Sequence, residues 1–175
     1  MRYEILEGLP PYGAMPEQFS FGSKGTHREG VVVRFFPDSG PTWVGNFQRG
    51  LTKFDDVMLH PNGSHVIIFA GGQGYTIDPD TRSLIKTWGG AVEIAIEFQD
   101  RRVIVLGDGL WFEAIGETGT LWRSKRISWD GMQGITLSEG RILGEAWNPD
   151  GFWVPFSVDL TTGEVEGGSY CGPDM

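Results

Sequence analysis

The sequence predicts an all-β fold built from repeated four-stranded antiparallel sheets, and three observations carry that prediction. Glycine supplies 27 of the 175 residues, beside seven tryptophans, where ordinary glycine usage is about 7%. Many short strands divided by glycine turns produce such a composition. Second, the chain lacks a clean apolar pattern at i, i+3, i+4, i+7; residues 4–9 and 46–58 come nearest, and Gly or Pro interrupts both. Third, one unit is written twice. At an offset of 37 and without a gap, Val66 falls on Val103, Ile67 on Ile104, Gly72 on Gly109, Tyr75 on Phe112, Thr81 on Thr118 and Leu84 on Leu121. A period of this size marks a stacked or radial repeat.

In chain order, residues 1–18 are expected to be irregular, because Pro10, Pro11, Gly13 and Pro16 interrupt any regular pattern. Phe19 and Phe21 alternate like a short strand, and Gly22 to Gly30 forms a polar loop. Val31-Val-Val-Arg-Phe-Phe36 is a β-branched and aromatic run that predicts a strand. Pro37 to Pro41 has turn chemistry, and Thr42 to Phe47 makes the hairpin partner. The first repeat unit, about 54–90, holds strands at Val57–His60, His65–Ala70, Tyr75–Asp78 and Ser83–Trp88. The second, about 91–131, repeats the order at Val92–Phe98, Arg102–Leu106, Trp111–Ile115 and Thr120–Ser128.

A third unit, about 132–169, appears once insertions are allowed. Ile135–Leu137 and Arg141–Ala146 form its first hairpin, and Trp153–Asp159 follows a Trp147-Asn-Pro-Asp-Gly151 turn. Its Phe156, Val158, Thr162 and Val165 repeat the spacing of Tyr75, Ile77, Thr81 and Leu84 and of Phe112, Ala114, Thr118 and Leu121. That spacing is a hairpin in outline: inward side chains on one strand, a tight turn, then a return strand resuming the alternation. The aromatic-x-apolar pattern with its turn resembles the blade hairpin of β-propeller repeats of the PQQ-like and YVTN-like kind, over residues 54–169. The resemblance implies a propeller-like, all-β fold with three clear units and a degenerate fourth from residues 19–50. It departs from larger propellers in its small number of units and in lacking recurrent Gly-His and Trp-Asp signatures. A closed four-bladed ring, an open stack of sheets, and half a ring completed by a second chain all remain compatible with it. The length fits a single domain, 1–175.

Composition narrows the function. A net charge of −9 argues against a nucleic-acid surface, and the short clusters Arg101–Arg102 and Arg123–Arg126 read as strand-edge protection. No segment is apolar enough for a signal peptide or a membrane span. The single cysteine, Cys171, fits a reducing compartment, so a cytoplasmic location is expected. Metal chemistry has little to stand on: His27, His60 and His65 are not spaced as ligands, although His60 and His65 flank one turn near Asp55 and Asp56. Asp78-Pro-Asp80 lacks the remaining ligands of a calcium loop. No nucleophile elbow occurs, Cys171 has no neighbouring histidine, and Asp108, Asp130, Glu145 and Asp150 define no carboxylate pair. Gly71 to Gly74 lacks the Lys-Ser/Thr of a phosphate loop and reads as a turn. No cofactor is implied.

The aromatics are the most informative set. Trp111, Trp129, Trp147 and Trp153 lie beside Asp108, Asp130, Asn148 and Asp150, and aromatic faces next to carboxylates suit sugars or cations. Tryptophan also fills space between packed sheets, which is the commoner role. The candidate binding set is therefore Trp111, Trp129, Asp130, Trp147, Asn148 and Asp150, and within it the Trp129 and Trp147 loops are the ones that do not repeat. Two functions are compatible with them. One is a non-catalytic protein-interaction module, its acidic surface suited to a basic partner, with a homodimer also admitted. The other is a small-molecule site, carbohydrate-binding or hydrolytic, built from the Trp and Asp loops.

Overall fold

The computed structural model describes residues 2–21 and 28–173; His27 and most of the polar loop from Gly22 to Gly30 lie outside the described residues. Among the described residues, sixteen strands form four separate four-stranded sheets. The first contains β1 (Arg2–Leu6), β2 (Glu17–Phe19), β3 (Val31–Phe36) and β4 (Trp43–Phe47) in the order β1-β3-β4-β2. The second is a meander of β5 (Asp56–Leu59), β6 (Val66–Ala70), β7 (Gln73–Asp78) and β8 (Ser83–Gly89). The third runs through β9 (Ile94–Phe98), β10 (Val103–Gly107), β11 (Phe112–Gly116) and β12 (Gly119–Arg123). The fourth comprises β13 (Met132–Ser138), β14 (Arg141–Trp147), β15 (Trp153–Asp159) and β16 (Val165–Gly167). Among the described residues the helical content is one 3-10 turn, Gln99–Arg101, and no helix is long and apolar enough to cross a membrane. The all-β, propeller-like arrangement of repeated sheets is as the sequence predicts.

Two compact units divide the chain, Met1–Glu93 and Ile94–Met175, each with two sheets. In the first unit, the expectation that residues 1–18 are irregular is corrected. Arg2–Leu6 is a strand antiparallel to β3, with Tyr3 opposite Phe35 and Ile5 opposite Val33. The prolines that discouraged regular structure all lie beyond Leu6, so β1 is complete before they act. Tyr3 packs against the core, and its hydroxyl donates to the Val57 carbonyl at 2.8 Å, which fixes the strand. The degenerate fourth sheet therefore exists and extends to the N-terminal strand. It is not a copy of the repeat: β2 pairs with β4 in parallel, whereas the repeat sheets are antiparallel throughout.

Burial explains why the first unit holds together. Val31, Val33, Phe35, Trp43 and Phe47 face Val57, Val66, Ile68, Tyr75 and Ile77 across the two sheets. The rings of Phe35 and Trp43 stack at 4.3 Å, and those of Phe19 and Phe47 at 4.8 Å. Fully burying one such apolar side chain contributes about 1.5–3 kcal/mol. The polar tips are satisfied as well: the Trp43 indole donates to the Pro79 carbonyl at 2.8 Å and the Tyr75 hydroxyl to the Gln48 carbonyl at 2.7 Å. Between β6 and β7 the chain reverses in two residues, Gly71 and Gly72, with φ of 55° and 80°. Two consecutive positive φ values are the type I′ hairpin, whose twist matches its strands and which glycine enters without strain.

The second unit follows the same logic. Val105, Phe112 and Ala114 pack against Ile142, Ala146, Phe156 and Val158. The repeated spacing is a packing rule for its first half only. Tyr75, Phe112 and Phe156 are buried, as are Ile77, Ala114 and Val158 two residues later. The last repeated position is not core: Leu84 and Leu121 are exposed, and Val165 is half-buried on the short strand β16. Register also differs between copies. Val57 lies opposite Ile68, while Ile94, its counterpart at offset 37, lies opposite Gly107. The slip is by two residues, and an even slip leaves every side chain on its original face.

Candidate functional site

In an antiparallel meander, alternate connections emerge at the same end of the sheet. For the second unit that end receives the β10–β11 turn, the β12–β13 link, the β14–β15 turn and the segment after β16. All six candidate residues lie on these connections or at the strand end leading into one. Backbone hydrogen bonds join the segments into one rim. The Ile127 N–H donates to the Leu110 carbonyl at 2.8 Å, and the Ser169 and Tyr170 N–H groups donate to the Ile127 carbonyl at 2.9 and 3.0 Å. The Trp147 N–H donates to the Gly131 carbonyl at 3.2 Å.

Ser128 is the hinge point of this rim. It is fully buried. Its Oγ donates to the carbonyls of Gly131 at 2.6 Å and Trp147 at 3.3 Å, and accepts the Asp130 N–H at 3.2 Å. The Ser169 hydroxyl donates to the same Trp147 carbonyl. One buried hydroxyl thus ties the Trp129–Asp130 loop to the Trp147–Gly151 turn.

The six candidates separate by what their side chains do. Trp129 is 36% exposed, with the Tyr170 ring against it at 4.7 Å in an edge-on arrangement. The Arg126 guanidinium lies 4.5 Å from the Tyr170 ring and 6.0 Å from that of Trp129. It also donates to the Trp129 and Ser128 carbonyls at 2.8 and 2.9 Å. Asp130 and Asp150 are exposed. Asn148 closes the turn after β14: its Oδ1 accepts the Asp150 N–H at 3.3 Å and its own N–H donates to the Phe152 carbonyl at 2.9 Å. Trp147 is half-buried and pairs across the strands with Trp153. Trp111 belongs to the same rim, but the Arg123 guanidinium covers its ring at 3.9 Å. Asp108, beside it, accepts the Leu110 and Trp111 N–H groups at 3.0 and 3.1 Å, so it shapes the turn.

Sequence reasoning missed Tyr170, Arg126 and Ser128. Arg126 read as one charge in an edge-protecting cluster. Here both Arg123 and Arg126 lie over aromatic rings. A cation spaced to reach the nearest tryptophan was the available signal; nothing local marked Tyr170, whose place depends on a bond to Ile127.

The other candidate chemistry resolves into turns. His60 and His65 do approach, with ring centroids 5.9 Å apart. Asn62 occupies their Nδ1 atoms, its backbone N–H donating to His60 at 3.1 Å and its side-chain amide bonding His65 at 2.9 Å. Burial lowers the His60 pKa below 6.5, assisted by the charge of His65 and opposed by the Asn62 bond. Asp55 and Asp56 lie at the other end of the β5–β6 hairpin, about 13 Å from the histidine turn at the usual rise per strand residue. Asp55 there pairs with Arg49 at 2.6 Å and accepts the Gly71 N–H at 2.7 Å. Among the described residues no group of three His, Cys, Asp or Glu is disposed to hold a metal ion. Asp78 and Asp159 each accept two backbone N–H groups in their turns. On the first unit, an open depression of about 540 Å³ is lined by Leu51, Thr52, Lys53, Phe54 and Glu93.

No family model matches the sequence, and neither does any curated protein. Among solved structures, the chain is similar to hydrazine synthase of Kuenenia stuttgartiensis at 14% identity, over 63% of this chain and 33% of that one, with a TM-score of 0.41. It is similar to the computationally designed Ika8 protein at 14% identity, over 82% and 47% of the two chains, with a TM-score of 0.38. A eukaryotic initiation factor is similar at 11% identity, over 80% and 42%, with a TM-score of 0.38. The chain spans between a third and a half of the length of these structures. Propeller-type folds are among the neighbours; the likeness concerns the fold alone.

Proposed function

We propose that this protein is a non-catalytic β-repeat interaction module whose working surface is the rim of the second unit, and whose partner is a protein of basic character. One observation carries the reading: an exposed tryptophan, Trp129, is held against Tyr170 and Arg126 on the same rim as the exposed carboxylates Asp130 and Asp150. Trp, Tyr and Arg are the residues in which binding energy concentrates at protein interfaces, and they act best when pre-positioned. The hydrogen bonds through Ser128 supply that positioning. A net charge of −9 draws a basic partner toward the surface. The single thiol, exposed Cys171, suits a reducing compartment, and we place the protein in the cytoplasm on that ground.

The carbohydrate reading has less support. Sugar binding needs an open aromatic face, and guanidinium groups lie over Trp111 and Tyr170. The test compares affinity capture by the wild-type chain with capture by Trp129→Ala and by Asp130→Lys. The expected result is a basic protein retained by wild type, released by moderate salt, and lost from both variants. Identical captured sets for all three would overturn the proposal. A saturable tryptophan-fluorescence response to a sugar panel, abolished in Trp147→Ala, would favour the carbohydrate site instead.

A further inference from the structure

One strand is an exception among the sheet edges. Each of the four sheets ends in two edge strands, and among the described residues seven of those eight carry a charge. Glu4 on β1, Asp56 on β5, Lys86 on β8, Glu97 on β9 and Glu166 on β16 are examples. Charged side chains on an edge keep another strand from pairing with it. The exception is β13, Met132-Gln-Gly-Ile-Thr-Leu-Ser138, with neither a charge nor a proline over seven residues. Among the described residues its backbone bonds only to β14, so its outer row of N–H and C=O groups has no backbone partner.

The core also stays open along this edge. Leu137 lies directly opposite the fully buried Ile142, which places it on the core face. Yet Leu137 is 47% exposed. Ile135, on the same face by alternation, packs against the core and is only half-buried. Thr136 between them is exposed on the other face, opposite Leu143. A bulge at Gly134, where φ is 61°, ends the regular segment on the side of the rim.

This segment is its own complement. Laid antiparallel on a second copy about Thr136, it sets Ile135 against the partner's Leu137, Leu137 against the partner's Ile135, and the two Thr136 side chains against each other. Thr–Thr pairs stabilise a sheet across strands, and directly opposite residues share a face. The four apolar side chains therefore meet on the core side and cover the margin that each copy leaves open. Charge points to the same occupant. The edge offers a basic partner no carboxylate of its own, and between two chains of −9 it is a contact that sets no like charges together. Glu139, the next carboxylate along the chain, lies three residues from the axis in each copy. The two are thus about 20 Å apart along the seam, beyond the roughly 8 Å screening length at physiological salt.

We infer that β13 is a dimerisation edge: two copies of this chain pair antiparallel through Gly134–Ser138 about a two-fold axis at Thr136, joining their fourth sheets into one continuous sheet. The contact is isologous, so it closes at the dimer. The seam spans about 17 Å at roughly 3.4 Å per residue. That is short beside a standard interface of about 1,600 Å², so the association is weak and reversible. The axis lies towards the end of β13 away from the rim, and the inference does not depend on the partner proposed for that rim.

Sedimentation equilibrium of the full chain from about 10 μM to about 1 mM, where weak contacts populate, reads the association. The mass is expected to rise from 19.3 kDa towards twice that value and no further. Added salt strengthens the dimer by screening the repulsion between two acidic chains, whereas a contact made through rim charges weakens. Thr136→Lys and Thr136→Glu each set like charges face to face across the axis and weaken association at least about tenfold. Far-UV circular dichroism checks that both variants keep the fold. The decisive arm mixes them: opposite charges now meet at the axis, and a heterodimer forms that neither variant matches alone. Leu84→Lys, on the β8 edge, and Trp129→Ala, on the rim, leave the dimer intact. The inference would be overturned by a monomer at every concentration, by growth beyond the dimer, or by indifference to Thr136→Lys. No recovery in the mixture, or an equal loss in Leu84→Lys or Trp129→Ala, would overturn it as well.

Discussion

Replacing Phe112 by alanine tests whether the repeated spacing is a packing rule, and Leu121→Ala is its internal comparison. Both residues belong to one copy of the motif, nine positions apart. Phe112 is fully buried, its ring 6.1 Å from that of Phe156 in the core of the second unit. Truncating a buried phenylalanine costs about 3–5 kcal/mol, because lost transfer energy is joined by an unfilled cavity. Leu121 is 55% exposed, so a little under half of the 1.5–3 kcal/mol for complete burial is at stake, about 1 kcal/mol. Urea unfolding followed by far-UV circular dichroism reads the difference. With a slope of about 1–3 kcal/mol per molar for small proteins, Phe112→Ala lowers the midpoint of its unit by on the order of 2 M, and Leu121→Ala by well under half of that. Equal losses would refute the argument that the motif's first half faces inward and its last position does not. So would a loss below about 1 kcal/mol for Phe112→Ala.

Three other outcomes follow from local geometry. Gly72→Ala meets both a positive φ of 80° and a Cβ only 2.4 Å from Thr52 Oγ1, whereas Gly140→Ala has a similar φ of 77° but open space; thermal unfolding should show a loss of about 1–2 kcal/mol at Gly140 from backbone strain alone and clearly more at Gly72. In acid, backbone N–H bonds from Thr161 and Thr162 lower the Asp159 pKa; at Asp78 burial raises it, but the bonds from Thr81 and Asp80 together prevail and lower it. A depressed carboxylate stabilises the fold above its unfolded pKa and loses that contribution as pH falls through the folded value, so the double variant Asp78→Asn, Asp159→Asn should show a smaller drop in urea midpoint between neutral and strongly acid pH than wild type. His60 acts in the same direction from the opposite charge type: burial lowers its pKa from 6.5, the unfolded chain binds the proton more readily, and stability is lost as pH falls below about 6.5, a slope that His60→Gln should flatten in the same titration.

Much of the fold was legible because it rests on local chemistry. β-branched and aromatic runs such as Val31–Phe36 and Val66–Ala70 become strands wherever a partner exists, and Gly71–Gly72 turns tightly because both residues accept positive φ. The repeat exposed the inward positions, since Tyr75, Phe112 and Phe156 must recur at one spacing to meet one kind of packing site. The N-terminal strand was not legible. Arg2–Leu6 is too short and too mixed to declare itself, and it forms because β3 offers a free edge and Tyr3 reaches Val57. Likewise Leu84 and Leu121 carry the same apolar signal as core residues, yet their strands lie at sheet edges where water reaches them.

For the candidate site, the sequence by itself determined which loops break the repeat, and therefore where Trp129, Asp130, Trp147, Asn148 and Asp150 stand apart from the shared framework. Only the tertiary structure decided that these loops form one rim, because backbone hydrogen bonds such as Trp147 to Gly131 and Ile127 to Leu110, together with the buried Ser128 hydroxyl, join backbones far apart in the chain. It also decided which aromatic faces remain open. Whether a tryptophan meets solvent, another ring or its own chain's arginine depends on strand pairing and on the C-terminal segment reaching Ile127. Those are contacts between residues distant in sequence, and no local pattern encodes them.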